Sequence, residues 1–152
     1  MNILFFLTPK ENVVYLKDTD TLAEAMETMK KYRYQSVPII CVADGHYIGT
    51  ITEGDVLWWL RNHPREMIGE LTKAQITDIE RRRDNEPVRV DARMEDLLDI
   101  IVQQNFVPVL DDQKCFIGIV TRKDVIGYLR KKVDKASRMN SQKDGIDIRA
   151  AL

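Results

Sequence analysis

The sequence predicts an α+β fold in which two pseudo-symmetric β-α-β-β-α units pack sheet to sheet. The first observation is an internal repeat, because Val37-Pro38 recurs as Val107-Pro108. A second motif recurs behind it at nearly the same offset, with these identities: Gly49, Thr52 and Asp55, then Gly118, Thr121 and Asp124. The other observation is that both copies alternate short apolar runs with stretches of helical periodicity. One such unit cannot cover its sheet alone, so the two copies should form one folding unit.

In the first copy, residues 13–16 are β-branched or aromatic and predict a short strand. Asp20 or Thr21 can cap a helix whose apolar residues recur at helical spacing. Residues 37–42 form an apolar run too short for a helix, and residues 47–51 predict the next strand. Thr52 then caps a second helix, which Pro64 ends.

The second copy predicts the same order of elements. Val88 is matched to Val13, which places the first strand at residues 88–90, and the following helix is expected to be shorter than its counterpart. Strands at 106–110 and 116–120 precede a helix through Val125, Ile126 and Leu129. The predicted division is repeat one at 1–65, a polar, helix-prone linker at 66–84, repeat two at 85–130, and a frayed helix end with a mobile tail at 131–152.

The composition excludes several functional classes. The formal net charge is -1, so the chain lacks the basic excess of most nucleic-acid binders. Cys41 and Cys115 have neither metal-ligand nor redox spacing, which favours free thiols in a reducing compartment. The apolar start lacks a basic region and a cleavage site, and no segment is long and apolar enough to span a bilayer. We therefore expect a cytoplasmic protein without metal or cofactor.

The chemistry-bearing motif stands where a strand ends and a helix begins. Thr52 and Thr121 lie at helix starts, where exposed N–H groups and a hydroxyl suit phosphate. Asp55 and Asp124 follow one turn later, where a carboxylate can accept hydrogen bonds from a ribose. The nearby Val37-Pro38 leaves a flat apolar slot suited to a purine. The alternative is purely structural, since Thr-x-x-Asp before an apolar run is also a helix capping box.

The duplicated pattern resembles the CBS domain family, and the pair resembles a Bateman module. The resemblance covers the chain from about Met1 to about Arg130. It implies two clefts that bind AMP, ATP, S-adenosylmethionine or cyclic dinucleotides. It also assigns ribose contacts to the motif aspartates and phosphate contacts to the motif threonines, which here are Asp55 and Asp124, and Thr52 and Thr121.

The second copy is further similar to bacterial CBS-pair proteins, some of which bind cyclic di-AMP. This resemblance implies that one cleft is formed by Val14, Gln35, Ser36, Arg122 and Lys123. Repeat one has Glu53-Gly54 where repeat two has Arg122-Lys123, so the two clefts should differ electrostatically. Repeat two is also expected to lack counterparts of Gln35 and Ser36. We therefore expect one occupied cleft rather than two.

The leading functional prediction is a regulatory module, not an enzyme, that senses an adenine nucleotide (cyclic di-AMP, AMP or ATP) and signals to a separate protein. A homodimer through the second helices, including Trp58 or Trp59, is expected. One alternative is a nucleotide-processing enzyme, although no catalytic constellation is visible. The other is a CBS-type transcriptional regulator acting with nucleic acid, although no segment remains for a DNA-binding unit.

Overall fold

A computed structural model describes residues 1–64 and 73–143 of the chain. Seven strands and four α-helices follow one another as β-α-β-β-α twice, after a short N-terminal strand, and this α+β fold confirms the predicted class. The strands are β1 (Thr8–Pro9), β2 (Leu16–Lys17), β3 (Ser36–Ile40), β4 (Tyr47–Thr52), β5 (Val88–Arg89), β6 (Phe106–Leu110) and β7 (Phe116–Thr121). The helices are α1 (Leu22–Tyr32), α2 (Glu53–Asn62), α3 (Met94–Ile101) and α4 (Arg122–Lys143).

The strands form two sheets whose registers repeat. One sheet has the order β2-β3-β4 and the other β1-β7-β6-β5, with the central hairpins antiparallel. Ser36 pairs with Thr52 in one hairpin as Phe106 pairs with Thr121 in the other, and each hairpin shifts register near the end of its first strand. Gly49 and Gly118 therefore occupy the same place, which confirms the duplication.

Helix starts and ends follow the predicted signals. Thr21 caps α1 in a reciprocal capping box with Glu24. Thr52 caps α2, which ends at Asn62, just before Pro64. With eight residues, α3 is shorter than the eleven-residue α1, as the repeat offsets predicted. No helix in the described ranges combines the length and apolarity needed to cross a membrane.

The core of each repeat includes side chains from the segment that lies, in the sequence, just before the first β-α unit of the other repeat. We call this arrangement the exchange of lead-in segments. Ile3 and Phe6, at the start of the chain, are buried with Val107 and Val120 of repeat two. Ile76 and Ile79, before β5, are buried in turn among the side chains of repeat one. The polar linker predicted at 66–84 thus contributes core residues where the structure describes it, and its residues 66–72 lie outside the described ranges.

The strand β1 is part of the N-terminal segment that packs on repeat two. Thr8 and Pro9 pair with Ile119 and Gly118 of β7, so the first strand of the chain extends the sheet of repeat two. A Cβ atom at Gly118 would collide with the carbonyl oxygen of Thr8, so only glycine allows this close approach.

Two predictions from the repeat pattern are corrected. The counterpart of Val88 is Leu16 rather than Val13, because Leu16 pairs with Ile39 as Val88 pairs with Val109. The predicted first strand is accordingly confined to Leu16–Lys17. The helix α4 continues to Lys143, into the segment predicted as a frayed helix end; no Pro, and no Gly after Gly127, interrupts it. Residues 144–152 lie outside the described ranges.

Candidate functional site

An open cleft of about 400 Å³ lies between the two repeats. Five of the predicted site residues line it, and they come from the lead to β2, from β3 and from β7: Val14, Gln35, Ser36, Pro38 and Thr121. Val37 does not line this cleft; its side chain is fully buried in the core of repeat one. This volume lies within the range of small-molecule sites.

Several cleft residues were not singled out from the sequence. Asn12 and Thr8 enter through the N-terminal segment, and Asn105 and Phe106 enter from repeat two. Thr8 and Asn12 reach the cleft because the N-terminal segment packs on repeat two, and no local sequence pattern indicates this packing. Arg33 and Tyr34 also line the cleft, and the ring of Tyr34 stacks on Tyr32 at 5.8 Å between centroids.

The start of α4 borders this cleft through Thr121. The Thr121 hydroxyl accepts a hydrogen bond from the Asp124 amide at 3.2 Å, so it caps the helix. The Asp124 side chain is exposed, and among the described residues its carboxylate has no hydrogen-bond partner. Lys123 is exposed as well. Neither Lys123 nor Asp124 lines the cleft itself; both lie on the first turn of α4, within three residues of Thr121.

A second, polar cavity of about 390 Å³ adjoins the first and shares Gln35, Ser36 and Asn105 with it. Arg122 lines this cavity, and its Nε donates to the carbonyl oxygen of Ile101 at 2.9 Å. Glu53, the counterpart of Arg122, lines the same cavity. Arg122 and Glu53, which the sequence analysis assigned to different clefts, therefore line the same cavity.

In repeat one the same motif is used internally. The Thr52 hydroxyl accepts from the Asp55 amide at 3.1 Å, and Asp55 Oδ2 accepts from the Thr52 amide at 2.9 Å. The other oxygen, Oδ1, accepts from the amide of Arg82 at 3.1 Å. Asp55 is buried, unlike Asp124. Both carboxylate oxygens of Asp55 therefore accept hydrogen bonds from backbone amides.

Residues 81–86 pack against β4 next to this motif, and Asn85 lines the polar cavity together with Thr52 and Glu53. Asp84 Oδ1 accepts from the Thr50 amide at 2.9 Å and from Arg81 Nε at 2.8 Å. This ion pair raises the pKa of Arg81 above its usual value. A Cβ atom at Gly49 would collide with the Asp84 carboxylate, so the packing is close.

Further hydrogen bonds fasten the same segment. The hydroxyl of Tyr47 donates to the carbonyl oxygen of Asn85 at 2.8 Å and lies 2.6 Å from the hydroxyl of Thr50. Burial raises the pKa of Tyr47 to about 12. Asn85 Nδ2 and Gln104 Nε2 both donate to the carbonyl oxygen of Phe106.

The two clefts therefore differ for a reason beyond charge. Repeat two does have counterparts of Gln35 and Ser36, namely Asn105 and Phe106, which corrects the prediction that they are missing. Phe106 is a large buried side chain where repeat one has a serine. On the side of repeat one, residues 81–86 are hydrogen-bonded to β4 and to Asp55, whereas Val14 and Thr121 line the open cleft.

Other candidate chemistry is sparse in the described ranges. No group of three His, Cys, Asp or Glu side chains lies close enough to hold a metal ion there. His63 stacks on Trp59 at 4.3 Å, and its Nδ1 lies 2.8 Å from the Trp59 carbonyl oxygen. His46 lies beside Asp44 on the hairpin between β3 and β4. His46 pairs across a β-bridge with Cys115, but within the described ranges no hydrogen bond joins either histidine ring to a nucleophilic side chain.

Comparison with known proteins gives two kinds of match. A family model described as the CBS domain matches twice, at residues 6–62 and 76–131. Among solved structures, the chain is similar to CbpB in complex with c-di-AMP, with a TM-score of 0.81 and 24% identity over 91% of each chain. It is also similar to CBSX2 in complex with AMP, with a TM-score of 0.68 and 22% identity over 86% of this chain and 98% of that one. These likenesses show the fold.

Among curated proteins, the chain is similar to the protein MJ1225 of Methanocaldococcus jannaschii. The two are 22% identical over an alignment of 147 residues, and the match covers 85% of this chain. The match spans 50% of the length of that relative.

Proposed function

The chain belongs to the CBS domain family and carries two copies of that domain, and from this membership we propose that it is a regulatory module which binds an adenine nucleotide. The nucleotide occupies the open cleft between the repeats. Cyclic di-AMP is the leading ligand, followed by AMP and ATP. The ligands of CbpB and CBSX2 support this order of candidates.

One observation carries the proposal: Asp124, on the helix turn that follows the cleft residue Thr121, is exposed and has no hydrogen-bond partner among the described residues, whereas Asp55 is buried and bonded. A free carboxylate can accept hydrogen bonds from ribose hydroxyls. The apolar slot beside Val14 and Pro38 suits the flat face of a purine. The polar cavity next to it, with Arg122, suits the phosphate end.

The module acts by binding and not by catalysis. A bound nucleotide can change the affinity for a protein partner only if it binds the two states of the module differently. Arg122 holds the carbonyl oxygen of Ile101, at the end of α3, across the polar cavity. A phosphate that competes for this guanidinium would release that contact and change the surface presented by α3.

We also propose that the module forms a homodimer through the outer faces of its second helices. Leu57 and Trp58 are exposed on α2, and Ile126 and Leu129 on α4, although all four are large and apolar. Trp59 packs against the core of repeat one. Exposed apolar side chains on neighbouring turns favour an interface.

Calorimetry with cyclic di-AMP, AMP, ADP, ATP and S-adenosylmethionine tests the nucleotide proposal. Removal of a charge-assisted contact costs about 1.5–3 kcal/mol, so Arg122→Ala should weaken binding about ten- to a hundredfold. Glu53→Ala, the matched change in the other repeat, should leave affinity unchanged or raise it slightly. Equal affinities for Arg122→Ala and wild type would refute the phosphate site. Absence of binding by every nucleotide in the panel would refute the function.

A further inference from the structure

The helix α4 extends well beyond the domain that it belongs to. It has 22 residues, about 33 Å of helix, yet Val125 near its start is its one buried side chain in the described range. Every side chain from residue 131 to residue 140 is exposed. A lone helical stretch of about this length is marginal in water. The extension therefore gains stability if a second surface covers it.

The exposed residues of α4 follow a heptad pattern. Its two core positions, a and d, alternate along one stripe in the order Ile126 (a), Leu129 (d), Val133 (a), Ala136 (d) and Asn140 (a). Ile126, Leu129 and Val133 are 55%, 42% and 63% exposed, so the stripe faces away from the domain. Apolar residues at this narrow spacing are typical of a coiled-coil seam rather than of a helix that packs on a globular core.

The residues at these positions indicate which partner fits. β-branched residues at a together with leucine at d favour two parallel strands. Asn140 at an a position favours the same arrangement, because two symmetry-related asparagines can hydrogen-bond each other there. In an antiparallel pair an asparagine at a would face a d position instead. The partner that supplies the same residues in the same order is a second copy of this chain.

The charge of the extension is compatible with a second copy. Residues 130–143 are strongly basic, but Lys131, Lys135 and Arg138 lie at the outer positions f and c. At the flanking g position, the Lys132 ammonium lies over the ring of Tyr128, 5.8 Å from its centroid, and so is held against its own domain. Its neighbour across a parallel seam would be Ser137 of the following heptad, which is neutral. Like charges therefore do not meet across the seam from Ile126 to Asn140, which ends before the next d position, Lys143, at the last residue of α4.

We propose that the α4 helices of two copies form a parallel two-stranded coiled coil along the stripe from Ile126 to Asn140. This inference rests on the proposed homodimer and names the contact that forms it, and it is independent of nucleotide binding. The coil aligns the two domains on the same end of the seam, so both clefts share one orientation relative to the dimer axis.

Cysteine cross-linking of the full chain tests the register. In a chain with Cys41→Ser and Cys115→Ser, the variant Val133→Cys places two thiols opposite each other at an a position, within reach of a disulfide. Oxidation should give a covalent dimer at least about tenfold faster than for Lys131→Cys, whose outer position points away from the seam. Equal rates for the two variants would overturn the proposal.

Sedimentation equilibrium gives the second measurement. Val133→Ser removes an apolar contact from both copies and should raise the dimer Kd by about a hundredfold, whereas Lys131→Ser should leave it unchanged. Asn140→Val should lower the Kd, because the polar core residue costs stability. A wild-type monomer at about 100 μM would overturn both the coil and the proposed homodimer. A dimer that withstands Val133→Ser and does not cross-link at that position would overturn the coil and leave a homodimer through α2.

Discussion

At the scale of single residues, one motif serves two purposes in this chain. Thr52 and Thr121 both cap helices through their hydroxyls. Asp55 completes the capping box and also binds the Arg82 amide, whereas Asp124 does neither. The sequence predicted both a cap and a ligand role for this motif. Which copy serves which role depends on the distant Arg82 amide, so the motif alone could not decide it.

A pair of substitutions separates these roles. Asp55→Ala leaves the amides of Thr52 and Arg82 without their acceptor, so it should lower the free energy of unfolding by about 1–3 kcal/mol. Asp124→Ala removes an exposed carboxylate and should change stability by about 0.5 kcal/mol or less. Urea unfolding followed by circular dichroism measures both. Equal losses of stability would show that Asp124 has a structural role that its exposure does not reveal.

At the scale of elements, local patterns predicted most of the fold. Helical spacing, capping residues and short apolar runs gave the order and approximate bounds of the elements from β2 to α4. The exchange of lead-in segments was not predicted, because Ile3 and Ile76 each pack against residues far away in the chain. A short polar-looking stretch such as Ile76-Thr-Asp-Ile79 has too few apolar residues to reveal its burial.

The burial of the segment before β5 can be tested by substitution. Ile76 is fully buried in the core of repeat one, so Ile76→Ala should lower the free energy of unfolding by about 2–5 kcal/mol. Val102→Ala, at a position that is 67% exposed, is the matched control and should stay within about 0.5 kcal/mol of wild type. Thermal and urea unfolding measure both variants. A loss below about 1 kcal/mol for Ile76→Ala would mean that this segment is not part of the core.

At the scale of the whole molecule, duplication has produced two similar halves with unlike clefts. The hairpins share their register, and each core is completed by a segment that precedes the other repeat's helices. Contacts also cross directly between the halves, since the Phe116 amide donates to the carbonyl oxygen of Gly45 at 2.9 Å. The clefts differ because residues 81–86 are hydrogen-bonded to β4 and to Asp55 beside one of them, whereas Val14 and Thr121 line the other.

This asymmetry predicts how many nucleotides one chain can hold. Beside the motif of repeat one, Asp84 and Asn85 are held by hydrogen bonds and Asp55 already binds two backbone amides, so a ligand there would have to break several of these bonds. We therefore expect calorimetric titration with AMP to give at most one molecule per chain. Asp124→Ala should reduce this binding at least about tenfold, since each charge-assisted contact is worth roughly 1.5–3 kcal/mol. At about 100 times its Kd, the ligand should add roughly 2.7 kcal/mol to the apparent stability of wild type. Two equivalent sites per chain would contradict this expectation, because a ligand would then displace the hydrogen bonds of residues 81–86 as readily as it enters the open cleft.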